Sequence, residues 1–126
     1  MSGELTAAVK RMLGALDRAD ADSLIAMIGS EAQGIDEVSR RWMRGPGELI
    51  GYVRQLIEQV QDLRSEIHDV HEVRWGDSGI VTFWLEQDYT VDGEREHVSA
   101  PTTYVLRRQD GAWKLVLGHS IPLPPG

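Results

Sequence analysis

Cysteine is absent from the sequence. Its absence excludes a disulfide framework, a thiolate metal site and cysteine nucleophile chemistry, and it suits a cytoplasmic protein. Long apolar runs are missing too. No stretch approaches the roughly 18 consecutive apolar residues of a membrane-spanning helix, and the start, Met1-Ser2-Gly3-Glu4, carries no basic region leading into an apolar one. The expectation is a soluble, unexported protein with no membrane partner. Positive charge is scarce: 13 Lys and Arg stand against 20 Asp and Glu, for a net charge of −7. Nucleic-acid affinity is made largely by clustered Lys and Arg, so no nucleic-acid partner is expected. The densest basic group, Arg40, Arg41 and Arg44, reads as a solvated face. Repeats, linkers and low-complexity tracts are lacking as well.

What is present suffices for one core. With 126 residues, 41% of them hydrophobic, the chain is read as a single domain over 1–126. Leu5, Ala8, Val9, Met12, Leu13 and Leu16 recur at the spacing of one helical face, which predicts a helix over 4–18. Asp20 or Asp22 can cap a short second helix through Leu24, Ile25 and Ile28 that stops near Gly29. From Ala32 to Arg44 neither period is clean, and one or two short irregular strands are expected. Gly45-Pro46-Gly47 then opens a third helix, because proline is welcome in a first turn where its missing N–H has no partner to lose. Leu49, Tyr52, Val53, Leu56, Ile57 and Val60 give that helix its apolar stripe.

After Leu63 the period becomes two. Simple alternation places Ile67, Asp69, His71, Val73 and Trp75 on one strand face. Gly76 to Gly79 turns the chain into a strand over 80–91, Asp92-Gly93 turns it into a strand over 94–108, and Asp110-Gly111 turns it into the last. On that last strand alternation groups Trp113, Leu115, Leu117 and His119, against Lys114, Val116, Gly118 and Ser120. Large residues lie on both faces of the 80–91 strand, Trp84 among them, so a homodimer across the second sheet face is expected, with Glu86 and Asp88 at its rim. Asp69 and His71 can form an orienting pair, whereas His68 and His71 point to opposite faces and His97 opposes Tyr104. No convergent set of three ligands emerges, and no metal site is expected.

Helices followed by long strands define an α+β architecture, three helices packed on a curved antiparallel sheet that leaves a cone with an open end. The chain resembles the nuclear transport factor 2-like superfamily with its cystatin-like cone, in particular the SnoaL-like and ketosteroid isomerase branch. The resemblance rests on Ala19-Asp20-Ala21-Asp22 at the helix elbow, on Gly45-Pro46-Gly47-Glu48-Leu49, and on Asp110-Gly111-Ala112-Trp113-Lys114 through His119-Ser120. It implies a pocket for a small apolar molecule and no cofactor. Ketosteroid isomerases place a general-base aspartate nine positions before the glycine that opens the third helix, and Asp36 holds that place here. Met12 stands where their oxyanion-hole tyrosine would be, and Thr102 or Thr103 falls near their protonated carboxylic acid.

Two readings follow. In the first, the protein is a cofactor-independent isomerase, cyclase or lyase that abstracts a proton from an apolar carbonyl compound. Asp36 is its catalytic base, and His119, Trp42, Tyr52, Tyr104 and Met12 contact the ligand. In the second, the domain binds a ligand or dimerises without catalysis. Asp36 is then half of a solvated acidic pair with Glu37, His119 is a structural histidine, and Tyr52 is core.

Overall fold

The computed structural model describes residues 3–123. Met1 and Ser2, part of the start read above for targeting signals, lie outside the described residues. The elements run α1 (Glu4–Asp17), α2 (Ala21–Ala26), β1 (Ile28–Asp36), β2 (Met43–Arg44), α3 (Pro46–Gln59), β3 (Val60–Trp75), β4 (Ser78–Val91), β5 (Glu94–Gln109) and β6 (Ala112–Ser120). They form one six-stranded sheet in the order β2-β1-β6-β5-β4-β3. Its pairs are antiparallel except β1 with β6, which is parallel. The second helix ends at Ala26 rather than near Gly29, because Ile28 and Gly29 already belong to β1. No helix among the described residues is long and apolar enough to cross a membrane.

Local chemistry sets the element ends. Asp20 caps α2 by accepting from the Ser23 N–H at 3.2 Å and the Ser23 hydroxyl at 2.6 Å. Gly3 at the start of α1 has no capping side chain. Glu72, from β3, takes over that task by accepting from the N–H groups of Gly3 and Thr6 at 3.1 and 3.0 Å and from the Thr6 hydroxyl. Burial pushes the Glu72 carboxyl up, but those donors outweigh it and hold the group below its ordinary value. The Asp-Gly hairpin turns form as expected, with both residues at positive φ in Asp92-Gly93 (51° and 79°) and Asp110-Gly111 (52° and 78°).

The core joins the apolar stripe of α1 to the inner face of the sheet. Leu5, Val9, Met12 and Leu13 pack with Val81, Phe83 and Leu85 of β4, Leu106 of β5 and Trp113 of β6. Each such side chain contributes about 1.5–3 kcal/mol by leaving water. A smaller cluster of Ala32, Met43 and Leu49 seats α3 on β1 and β2.

Simple alternation fails on two strands, for one reason. An extra residue sits in β3 near Asp69, between the His68–Trp84 and His71–Thr82 pairs, and Asp69 adopts φ 53°. Beyond it the faces exchange. Ile67 and Val70 pack on the core, whereas Val73 and Trp75 are 48% and 60% exposed on the outer face, and His71 lies on the same outer face as His68. A second extra residue, Val116, sits in β6, where Val105 pairs Leu117 and Leu106 pairs Leu115. Trp113 and Leu115 therefore point inward as expected, but Gly118 and Ser120 replace Leu117 and His119 on the inner face. A third bulge at Asp62, φ 54°, bends the start of β3.

Gly79, the second residue of β4, lies against Leu5 of α1. A Cβ there would press into the Leu5 side chain and lie 2.9 Å from the Val73 carbonyl, whereas one at Gly47 meets nothing within 4 Å. Urea denaturation should therefore show Gly79→Ala destabilised by about 1–3 kcal/mol. Gly47→Ala, in the first turn of α3, should be neutral or stabilised by a fraction of a kcal/mol, roughly as helix propensity dictates.

Candidate functional site

The curved sheet, α1 and α3 enclose a cavity of about 120 Å³. Its walls are chiefly apolar: Met12, Leu13 and Leu16 from α1, Leu24 from α2, Leu49, Val53 and Leu56 from α3, and Leu115 from β6. A second lobe of about 70 Å³ continues toward Val60, Leu63, Leu85, Gln87 and Tyr89. Asp36, Tyr52, Tyr104 and Ser120 border both lobes and form a polar waist between them. Met12 is 2% exposed and lines the inner lobe.

Asp36 ends β1, and its side chain accepts three hydrogen bonds. One carboxylate oxygen, Oδ1, accepts from the backbone N–H groups of Val38 at 3.0 Å and Ser39 at 2.8 Å. The other, Oδ2, accepts from the Tyr52 hydroxyl at 2.5 Å. Hydrogen bonds to a charged group are worth about 1.5–3 kcal/mol each, so this set fixes the turn after β1 and couples it to α3. Burial, then the Asp36 carboxylate, push the Tyr52 phenol well above its ordinary value. Burial, Asp36 and Glu37 do the same to Tyr104. Both phenols consequently stay protonated near neutral pH and remain hydrogen-bond donors. Tyr104 is held edge-on against Phe83 with ring centroids 5.4 Å apart.

Glu37, expected only as the solvated neighbour of Asp36, also belongs to the site. It borders the outer lobe among Val60, Leu63 and Leu85 rather than standing in solvent. Burial pushes its carboxyl up from 4.5 to about 7; its own backbone N–H offsets this in part, and the Asp36 charge adds to the rise. Near the waist, Thr102 and Ser120 share a hydroxyl hydrogen bond of 2.9 Å in the buried interior. Gln87 donates to the Ser65 hydroxyl at 3.1 Å, and that hydroxyl donates to Asp17 at 2.7 Å, linking β4, β3 and α1.

Of the residues singled out beforehand, Asp36, Tyr52, Tyr104 and Met12 come together at the cavity. His119 and Trp42 do not. The Val116 bulge turns His119 to the outer face, where its ring stacks on Trp42 with centroids 6.2 Å apart. Trp42 is 39% exposed, and Arg44 lies 5.3 Å over its ring. The signal that could have revealed this was the unbroken apolar run Leu115-Val116-Leu117, which no alternating strand requires. On the outer face Glu86 accepts from the Ser99 hydroxyl at 2.7 Å and pairs with His68 at 3.0 Å and His97 at 3.1 Å. Among the described residues no group of three or more such side chains is placed to hold a metal ion.

An open cone of this kind, with three helices on a curved sheet around an apolar cavity, defines the cystatin-like, NTF2-like fold, and solved structures with that fold superpose over nearly the whole chain. A candidate dehydratase of the NTF2-like family from Streptomyces avermitilis aligns with TM-score 0.88 at 18% identity, covering 97% of this chain and 96% of that one. A ketosteroid isomerase-like protein from Erwinia carotovora atroseptica aligns with TM-score 0.81 at 23% identity, covering 98% and 96%. An uncharacterised protein with a cystatin-like fold from Caulobacter vibrioides aligns with TM-score 0.82 at 16% identity, covering 98% and 90%. The SnoaL-like domain model matches residues 5–124, and the chain belongs to that family. Among curated proteins none matches.

Glu37 gives this site a pH signature. Because its folded carboxyl titrates near 7 rather than 4.5, the fold favours the neutral form. That preference is fully present below about pH 4.5 and is lost as pH rises through 7. Glu37→Gln should therefore match the wild type at pH 4.5 and become the more stable protein above pH 7, by on the order of 2 kcal/mol. Urea unfolding at both pH values measures the difference.

Proposed function

We propose that this protein binds a small apolar carbonyl compound and moves a proton on it without a cofactor, as an isomerase, cyclase or lyase does. One observation carries this reading: an otherwise apolar cavity has its polar groups concentrated at a waist where a carboxylate meets two protonated phenols. Abstraction of a proton beside a carbonyl needs a base and donors aimed at the developing enolate oxygen. Tyr104 supplies a free hydroxyl donor, while Asp36 holds the hydroxyl of Tyr52 beside it. The descriptions of two structural neighbours, a candidate dehydratase and a ketosteroid isomerase-like protein, fit the same broad chemistry.

Cavity size narrows the ligand. A void of about 150 Å³ accommodates benzene, so the inner lobe of about 120 Å³ taken together with the outer lobe of about 70 Å³ suits a ligand of one ring or a fused pair that reaches across the waist, rather than a four-ring steroid. Cyclohexanone is an apt probe. Saturable shifts of the Met12 and Met27 methyl signals should accompany its binding, and Leu56→Trp, which fills the waist from a partly exposed position, should remove them. Exchange of its α-protons in D2O should exceed the buffer rate and fall at least about tenfold in a variant that lacks both cavity carboxylates, Asp36→Asn with Glu37→Gln, in line with the usual contribution of acid–base groups. Unchanged exchange in that variant would rule out the catalytic reading.

A second reading has its own support on the opposite face. Ile80, Trp84, Val105 and Leu117 lie there with Val73 and Trp75, an apolar surface on three or more adjacent strands. Self-association through this face would make the chain a homodimer, whether or not the cavity is catalytic. Light scattering should give twice the chain mass, reverting to one chain in Trp84→Glu; a monomeric wild type at micromolar concentration removes this reading.

A further inference from the structure

We infer that Glu37, not Asp36, is the side chain that exchanges the proton with the ligand, while Asp36 is a positioning residue that holds the turn and the Tyr52 hydroxyl in place. This assignment rests on the proton-transfer reading above and divides its labour. The geometry separates two adjacent carboxyls by what they already bind. Asp36 accepts two backbone N–H groups at Oδ1 and the Tyr52 hydroxyl at Oδ2. Three of the roughly four acceptor sites of that carboxylate are therefore filled. Glu37 borders the outer lobe, and among the described residues its own backbone N–H is the hydrogen-bond donor it has.

The surroundings suit a group that works in both directions. The titratable groups around Glu37 are Asp36 from β1, Tyr52 from α3, Tyr89 from β4 and Tyr104 from β5. α1 faces the lobe with Leu13 and Leu16, and β3 with Val60 and Leu63. Half-buried among these and beside one negative charge, the Glu37 carboxyl titrates near neutrality, where an acid–base group is most effective. Its carboxylate would take the proton from the carbon beside the carbonyl. The C–H pair becomes the enolate C=C bond, and the carbonyl π pair moves onto oxygen. A tyrosine hydroxyl stabilises that oxygen by donating to it. The Glu37 acid then returns the proton to carbon, which leaves the protein unchanged.

5-Nitrobenzisoxazole tests this directly, because its ring opening needs a carboxylate in an apolar site and nothing more. The base removes the ring C–H proton, that pair completes the nitrile, and the N–O bond breaks to release a coloured phenolate. The wild-type profile of kcat/KM against pH should rise with an inflection near 7. Glu37→Gln should lose that inflection and at least tenfold in rate at pH 8. Asp36→Asn, whose amide oxygen can still accept from Val38 and Ser39, should be slower yet keep an inflection. That inflection should move to lower pH, because the neighbouring negative charge is gone. Loss of the inflection in Asp36→Asn with its retention in Glu37→Gln would reverse the assignment. Binding seen at the Met12 and Met27 methyls with a rate indifferent to Glu37→Gln would overturn the role of Glu37 alone. No shift of those methyls with either this probe or cyclohexanone would overturn the cavity reading on which it rests.

Discussion

Three inserted residues, at Asp62, Asp69 and Val116, let a sheet of long strands close around two helices, and the rest of the molecule depends on the curvature they create. A regularly paired sheet would twist without cupping α1 and α3. Each bulge also exchanges the faces of the strand beyond it. In β3 this brings Glu72 to the open end of α1, and in β6 it brings Ser120 and Gly118 to the cavity. Curvature and site composition are therefore products of the same device. Aspartate is suited to two of these positions because its short polar side chain tolerates the left-handed backbone conformation.

The polar groups inside are few, and nearly all are tied to the framework. Asp36 joins β1 to α3 through Tyr52, Thr102 joins β5 to Ser120 of β6, and Asp17 joins α1 to β3 through Ser65. An unsatisfied buried polar group costs about 1–3 kcal/mol, which makes such pairs locks on element placement. Glu37 departs from this pattern. It carries a half-buried carboxyl without a side-chain donor, and the fold tolerates its ionisation only at a cost. Local conflict of that kind is expected where function rather than stability chose the residue.

Much of the architecture was legible in the chain. The stripes of α1 and α3, the capping role of Asp20, the proline that opens α3 and the Asp-Gly turns all depend on neighbours within a few residues, and all form. The base position of the resembled isomerases led to Asp36, which does border the cavity beside Tyr52, Tyr104 and Met12. His119 was misplaced because strand parity holds only while the ladder is regular. One extra residue three positions earlier was enough to send it outside, with Trp42. The same error separated His68 from His71. Both strands carried a trace of the irregularity, as three consecutive apolar residues at Leu115 to Leu117 and as apolar residues three apart at Ile67 and Val70.

The sequence by itself determined the elements, their order, the turns between them and the family to which the chain belongs, because periodicity, capping and turn chemistry are local properties of the chain. Tertiary structure alone decided which of two neighbouring carboxyls holds three donors and which is left half-buried without one from another residue. Asp36 and Glu37 are adjacent acidic residues in the sequence. The Tyr52 hydroxyl reaches one of them from α3, and the other borders a lobe that Val60, Leu63 and Leu85 line from β3 and β4. Those contacts span long stretches of chain, and the desolvation that separates the two residues exists only once the sheet has curved around them.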